Sequence, residues 1–192
     1  MESVLLLGAG LFLVTHLDTF LVISAFCADS DYRPWEVFVG HYVGFCIGLA
    51  GAIIGAVVAT ELFQEWTFLL GVLPFSMGLW GLLRRPPESV VEEPPALPNA
   101  ADRIRVVTVT GVGFSGENIA LFIPFFADLT PRALLLVVGL YLVGAVIVFL
   151  AASFAVRYVT GDTIPDRLDR WLVPTVLLIF GGYVLATGLM PG

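Results

Sequence analysis

Six long apolar runs dominate the chain, at about 4–27, 35–59, 66–83, 106–127, 133–156 and 171–190. A helix rises about 1.5 Å per residue, so roughly 20 apolar residues cross the hydrocarbon core of a bilayer. Inside that core each backbone N–H and C=O must find its partner within the segment, which leaves helices as the economical solution for runs of this kind. The expectation is an all-α, polytopic membrane protein with six transmembrane helices. A hydrophobic content of 58% and a mean hydropathy of +0.96 lie outside the soluble range and point the same way. The third and sixth runs are the shortest, and Pro74 and Pro174 are placed to kink or to start them.

Charge is scarce inside the runs, so the exceptions carry information. Glu117 sits halfway along the run from Val106 to Ala127, near the expected midplane. A carboxylate there costs about 2.5 kcal/mol or more, which a cation, a proton or a buried partner must offset. Asp18 occupies a matching place in the first run, within Thr15-His16-Leu17-Asp18-Thr19. An intramembrane acid is either part of a functional site or a protonated packing residue, and a second acid in a matching position favours the site.

The stretch 84–105 holds Pro86, Pro87, Pro94, Pro95, Pro98, Glu88, Glu92 and Glu93, and reads as a flexible polar linker. It divides the chain into a three-helix unit at 1–83 and a second at 106–192. All nine basic residues are Arg. Eight of them (33, 84, 85, 103, 105, 157, 167 and 170) lie between runs one and two, three and four, or five and six, and only Arg132 lies on the opposite side. The positive-inside rule then puts the 84–105 loop in the cytoplasm and both termini outside, in a multi-pass cell-membrane protein. Met1-Glu2-Ser3 lacks a basic n-region, so the first run is expected to be a retained helix. A net charge of −7 argues against a nucleic-acid partner; the lipid bilayer is the expected surrounding.

A shift of 99 positions, without a gap, pairs Asp18 with Glu117 and Thr19 with Asn118. The same shift matches identical residues at Phe26/Phe125, Ala28/Ala127, Asp29/Asp128, Arg33/Arg132, Val39/Val138, Gly40/Gly139 and Tyr42/Tyr141. Three spans per half is an odd number, so the second half must run inverted. Inverted repeats place their binding sites at the midplane between the halves. Asp18 and Glu117 are symmetry mates in this reading.

Neutral oxygens surround the acids: Asn118 beside Glu117, and Thr15 and Thr19 around Asp18. Hard divalent cations favour such sets. Gly111, Gly113, Gly116 and Pro124 loosen the fourth run, baring carbonyls that could ligate a cation or allowing close packing. On a straight helix Glu117 and Asn118 point about 100° apart, so a bend is needed for both to face one cavity. His16 and His41 are the only histidines, and each suits a metal ligand, a proton carrier or a hydrogen-bonded interior residue. His16 and Asp18 would lie about 200° apart on a straight helix. Cys46 follows His41 by five residues and reads as a thiolate ligand or a small hydrophobe, and the sequence assigns Cys27 no role. Gly40, Gly44, Gly48, Gly51 and Gly55 form a small-residue ridge for close helix contact, within the monomer or across a homodimer. No nucleophile–base pair or phosphate loop stands out in the runs, so an enzyme and a resident cofactor are not expected.

Three patches together resemble the cadmium resistance transporters, a branch of the lysine-exporter superfamily: Thr15-His16-Leu17-Asp18-Thr19-Phe20-Leu21, Val39-Gly40-His41-Tyr42-Val43-Gly44-Phe45, and Gly116-Glu117-Asn118-Ile119 with Ile123-Pro124-Phe125-Phe126-Ala127. Leu70-Gly71-Val72-Leu73-Pro74 followed by Gly78 is a weaker fourth. The resemblance implies a six-helix inverted-repeat transporter that exports a divalent cation, Cd²⁺ in the best-known members, with Asp18, Glu117, Asn118, Thr19, Thr15 and His41 as the metal-site set. The chain departs from the family pattern in three places. Thr19 stands where a second Asp is expected, Glu117 replaces Asp, and His41 replaces Gln. Removing one carboxylate takes the site from about −3 to −2, still suited to a divalent cation. Export of Mn²⁺, Ca²⁺ or another small solute on the same fold is the alternative, and a non-transport membrane scaffold a more distant one.

Overall fold

The computed structural model describes residues 2–62, 72–83 and 99–158, with a few positions between 175 and 186. The described elements are helical: α1 (Glu2–Thr15), α2 (Leu17–Ala28), α3 (Pro34–Leu62), α4 (Val72–Leu83), α5 (Ala100–Ala127) and α6 (Pro131–Tyr158). Two of them, α3 and α6, are long and apolar enough to cross a membrane unaided. The count rises to four if α1 with α2, and the two segments of α5, each make one bent span. Most of the sixth expected span, 171–190, lies outside the described residues, as do the first part of the third and linker residues 84–98.

The first run is not one straight helix. It breaks at His16, and α1 and α2 meet at 50°. At the break Thr15 Oγ1 donates back to the carbonyl of Leu11 at 3.0 Å, a competition with the helical ladder that favours bending. α5 repeats the device: Ser115 Oγ donates to the Gly111 carbonyl at 2.8 Å, Gly116 follows, and the helix bends by 60° between Ala100–Gly116 and Asn118–Ala127. The bend therefore falls at Glu117, directly after the Ser–Gly step and well before Pro124. Straight-helix angles, such as the 200° between His16 and Asp18, do not apply across these breaks.

The linker is also shorter than the sequence indicates. α5 starts at Ala100, so residues 100–105 are helix. Asn99 caps this end, its side chain accepting from the Asp102 N–H at 2.8 Å, and Asp102 lies in the first turn where the helix dipole favours an acid.

α3 and α5 run parallel in the tightest contact of the fold. Glu36 meets Arg103, Gly40 meets Ile104 and Val107, Gly44 meets Thr108 and Gly111, Gly48 meets Ser115, and Gly55 meets Ile123. The glycine ridge is thus filled by α5 of the same chain, the intramolecular one of its two expected uses. A Cβ added at Gly40, Gly44, Gly48 or Gly55 would come within 2.5–2.8 Å of α5 atoms. The α1/α2 pair runs parallel to α6, through Gly8 on Val137, Phe12 on Gly144 and Cys27 Sγ 3.5 Å from Ser153 Oγ. α3 is antiparallel to α6, as His41 on Ala145 and Phe38 on Phe149 show. The α1/α2 pair and α5 therefore run in opposite directions.

At the α3 and α5 N-termini, Glu36 is fully buried and pairs bidentately with Arg103: Nε to Oε2 and Nη2 to Oε1, both 2.8 Å. Glu36 also accepts from the Arg33 backbone N–H at 3.0 Å, closing the first turn of α3 from its third position. The outward surface is apolar. On α6, Leu135, Val143, Ile147, Leu150 and Phe154 are all exposed, a face suited to lipid and unsuited to water.

Candidate cation site at two helix breaks

Two aromatic rings, Phe45 and Phe122, are common to the surroundings of both breaks. His16, in the first break, stacks on Phe12 with ring centroids 3.9 Å apart, meets Phe45 of α3 at 5.5 Å, and faces Phe122 of α5 at 6.5 Å. Phe45 and Phe122 in turn line a small cleft with Gly48, Leu49, Ser115, Asn118 and Ile119. Its free space is about that of one water or ion. Asn118, buried at 8% exposure, opens the second segment of α5 and borders this cleft.

Asp18 lies in the first turn of α2, half-buried, where the positive end of the helix dipole favours a carboxylate. Its Oδ1 accepts from the Thr19 N–H at 2.6 Å, with the Thr19 hydroxyl at 3.4 Å. A helix that ends at Thr15 and restarts at Leu17 thus supplies bared backbone donors beside an acid in mid-run, which a continuous helix could not. Thr15 is buried with its hydroxyl against the Leu11 and Phe12 carbonyls and 3.1 Å from His16 Nδ1. Glu117 lies on α5 at the bend, and its side chain is outside the described residues.

His41 is buried on α3. Its Nε2 lies 3.1 Å from the Ala145 carbonyl of α6. A carbonyl only accepts, so Nε2 carries the proton and ties the second helix of one half to its counterpart in the other. Cys46 and Cys27 are free thiols, Cys27 facing Ser153 of α6. Among the described residues no group of three or more His, Cys, Asp or Glu side chains converges on one point. The first break holds Asp18, Thr15, Thr19 and His16, the cleft beside the second holds Ser115 and Asn118, and the rings of Phe45 and Phe122 are common to His16 and that cleft.

Sequence reasoning gave neither Glu36 nor Ser115 a role. Glu36 reads as an ordinary first-turn acid, and its partner Arg103 falls in what the sequence presents as linker. Ser115 had a signal in the 99-residue shift, which pairs it with His16, while the break in α5 follows at Glu117, the mate of Asp18, so the two breaks lie two positions out of register.

A family model described as cadmium resistance transporter matches residues 12–188, nearly the whole chain. The chain belongs to the cadmium resistance transporter family. Membership places it in a transport family, in keeping with helices apolar enough to lie in a membrane. The match includes both breaks and all six expected site residues. No curated protein and no solved structure matches the chain.

Proposed function

We propose that the protein exports a divalent heavy-metal cation, Cd²⁺ or a related ion, across the cell membrane in exchange for protons. The observation that carries the reading is the coincidence of acids and breaks: Asp18 lies in the first turn of the helix after the first, and Glu117 sits in the second. A membrane span broken in mid-run beside a carboxylate is the common architecture of ion sites in secondary transporters. The six-span inverted repeat, with termini outside and the linker in the cytoplasm, belongs to this proposal and to the lysine-exporter relationship that the motifs imply.

The mechanism follows from charge. Two ionised carboxylates present about −2, which one divalent cation or two protons neutralise. Cation and protons then compete for one site, the physical requirement for exchange. The two halves rock around that site and expose it to each side in turn. Asn118, Thr15 and Thr19 contribute neutral oxygens.

Uptake of metal into inverted vesicles under an imposed pH gradient tests the proposal. Asp18→Asn and Glu117→Gln should each abolish transport while the protein remains folded in the membrane. Apparent affinity should fall as pH drops between about 8 and 5, as protons occupy the carboxylates. Transport surviving both substitutions together, or affinity indifferent to pH, would refute it.

A further inference from the structure

We infer that His16 is a nitrogen ligand of the transported cation and biases the site toward borderline and soft divalent ions over hard ones. The inference rests on the reading of the chain as a divalent-cation exporter, and adds a ligand that sets which cations it prefers.

His16 is the residue at which the first span breaks, with φ −110° and ψ 13°, in the sparsely populated bridge region where functional residues often sit. It is 3% exposed. Its Nδ1 lies 2.9 Å from the Phe12 carbonyl. Because that oxygen can only accept, Nδ1 bears the hydrogen, and the lone pair of the neutral ring is on Nε2. This is the arrangement of a metal-binding imidazole: one nitrogen donates to a backbone carbonyl, which fixes ring and tautomer, and the other is left basic. The Thr15 hydroxyl at 3.1 Å braces the same nitrogen. The ring is held further by its stack on Phe12 at 3.9 Å.

Position completes the argument. His16 is flanked by Phe45 and Phe122, the two rings that also border the cleft containing Asn118 and Ser115. Asp18 follows two residues later, beyond the break. The imidazole is thus near Asp18 in the chain and shares two rings with the cleft that Asn118 borders. His41 is the mirror case, its Nε2–H committed to Ala145 and its lone pair on Nδ1, but it lies on α3, outside both breaks. Carboxylate and amide oxygens alone would suit Mn²⁺, Ca²⁺ or Mg²⁺, whereas an added imidazole shifts preference toward Zn²⁺ and Cd²⁺.

The test uses the full-length protein in lipid nanodiscs. With ¹⁵N-labelled histidine, the two imidazoles give separable signals, and His41→Gln identifies the one from His16. Adding Cd²⁺ should move the His16 Nε2 resonance and leave that of His41 in place. In titrations, His16→Gln, which keeps an N–H donor for Phe12, should lower Cd²⁺ and Zn²⁺ affinity at least about tenfold. Mn²⁺ and Ca²⁺ affinity should change less than about threefold, so the selectivity ratio falls. If Cd²⁺ binds but only His41 shifts, or neither ring does, this inference is overturned and the exporter reading stands. Should His16→Gln fail to fold, the wild-type spectrum decides alone. If the wild type binds no divalent cation, both are refuted.

Discussion

Gly40→Ala offers the sharpest test of how the two halves are held together. A Cβ on Gly40 would lie 2.6 Å from Val107 Cβ and 2.8 Å from the Ile104 carbonyl oxygen. Neither atom can swing aside: one is backbone, and the other is the branch point of a side chain that is 1% exposed. Ordinary contact begins near 3.4 Å. α3 and α5 must therefore part by about 0.8 Å at this point, enough to forfeit a quarter to a half of the dispersion attraction there. The separation also strains the 3.2 Å bond from the Thr108 hydroxyl to the Gly40 carbonyl. Overpacking of this kind costs about 1–3 kcal/mol, against a gain of about 0.5–1 kcal/mol from removing a helix-interior glycine. Lipid tails compete equally for apolar surface, so close packing is a main force between membrane helices and its loss is felt directly. The net expectation is a destabilisation of roughly 1–2 kcal/mol. Gly139 is the mate of Gly40 under the 99-residue shift, yet a Cβ there meets nothing within 4 Å. Gly139→Ala should therefore be neutral or stabilising by up to about 1 kcal/mol. Unfolding by detergent titration, with thermal melts followed by size-exclusion fluorescence, measures both variants. Equal effects of the two, or a Gly40→Ala protein as stable as the parent, would refute the packing argument.

Other expectations follow from the same geometry. Tyr141 Oη is buried and has no hydrogen-bond partner among the described residues, enclosed by the rings of Phe12, Phe122 and Phe126. Tyr141→Phe removes that unpaired hydroxyl and should raise the melting temperature, by a free energy of about 1–3 kcal/mol; a fall would mean that the hydroxyl finds a partner the structure does not show. Glu36→Gln leaves Arg103 without its bidentate carboxylate and should destabilise the join between α3 and α5, and the charge-swapped pair Glu36→Arg with Arg103→Glu should recover part of the loss. A double variant no better than either single one would show that the ion pair is not what the join depends on. Arg105 is exposed at the same end of the molecule as Arg103. In a background lacking Cys27 and Cys46, a cysteine at 105 should resist membrane-impermeant thiol reagents in intact cells; ready labelling from outside would reverse the topology drawn from the Arg distribution.

The sequence by itself determined the class of structure, because run length and the missing charges leave a membrane-embedded backbone little choice but helix. It also singled out the glycine ridge, since spacing of about four residues marks one helix face. The acids Asp18 and Glu117 were legible because a carboxylate in an apolar run is costly wherever the helix lies. Other features depended on contacts between residues far apart in the chain. The ridge at Gly40–Gly55 says that something packs closely, and only the fold shows α5 packed there. At the break beside His16 the Thr15 hydroxyl bonds a carbonyl of the helical ladder, a competition that has no periodic signature. Glu36 and Arg103 find each other across α3 and α5, and that pairing turns the end of an apparent linker into the first turn of a helix. The orientation of His16, with one nitrogen tied to Phe12 and its ring against the wall of the Asn118 cleft, required all three helices to be in place. Local pattern specifies which face of a helix is apolar or small, whereas the partner of that face depends on the packing of the whole chain.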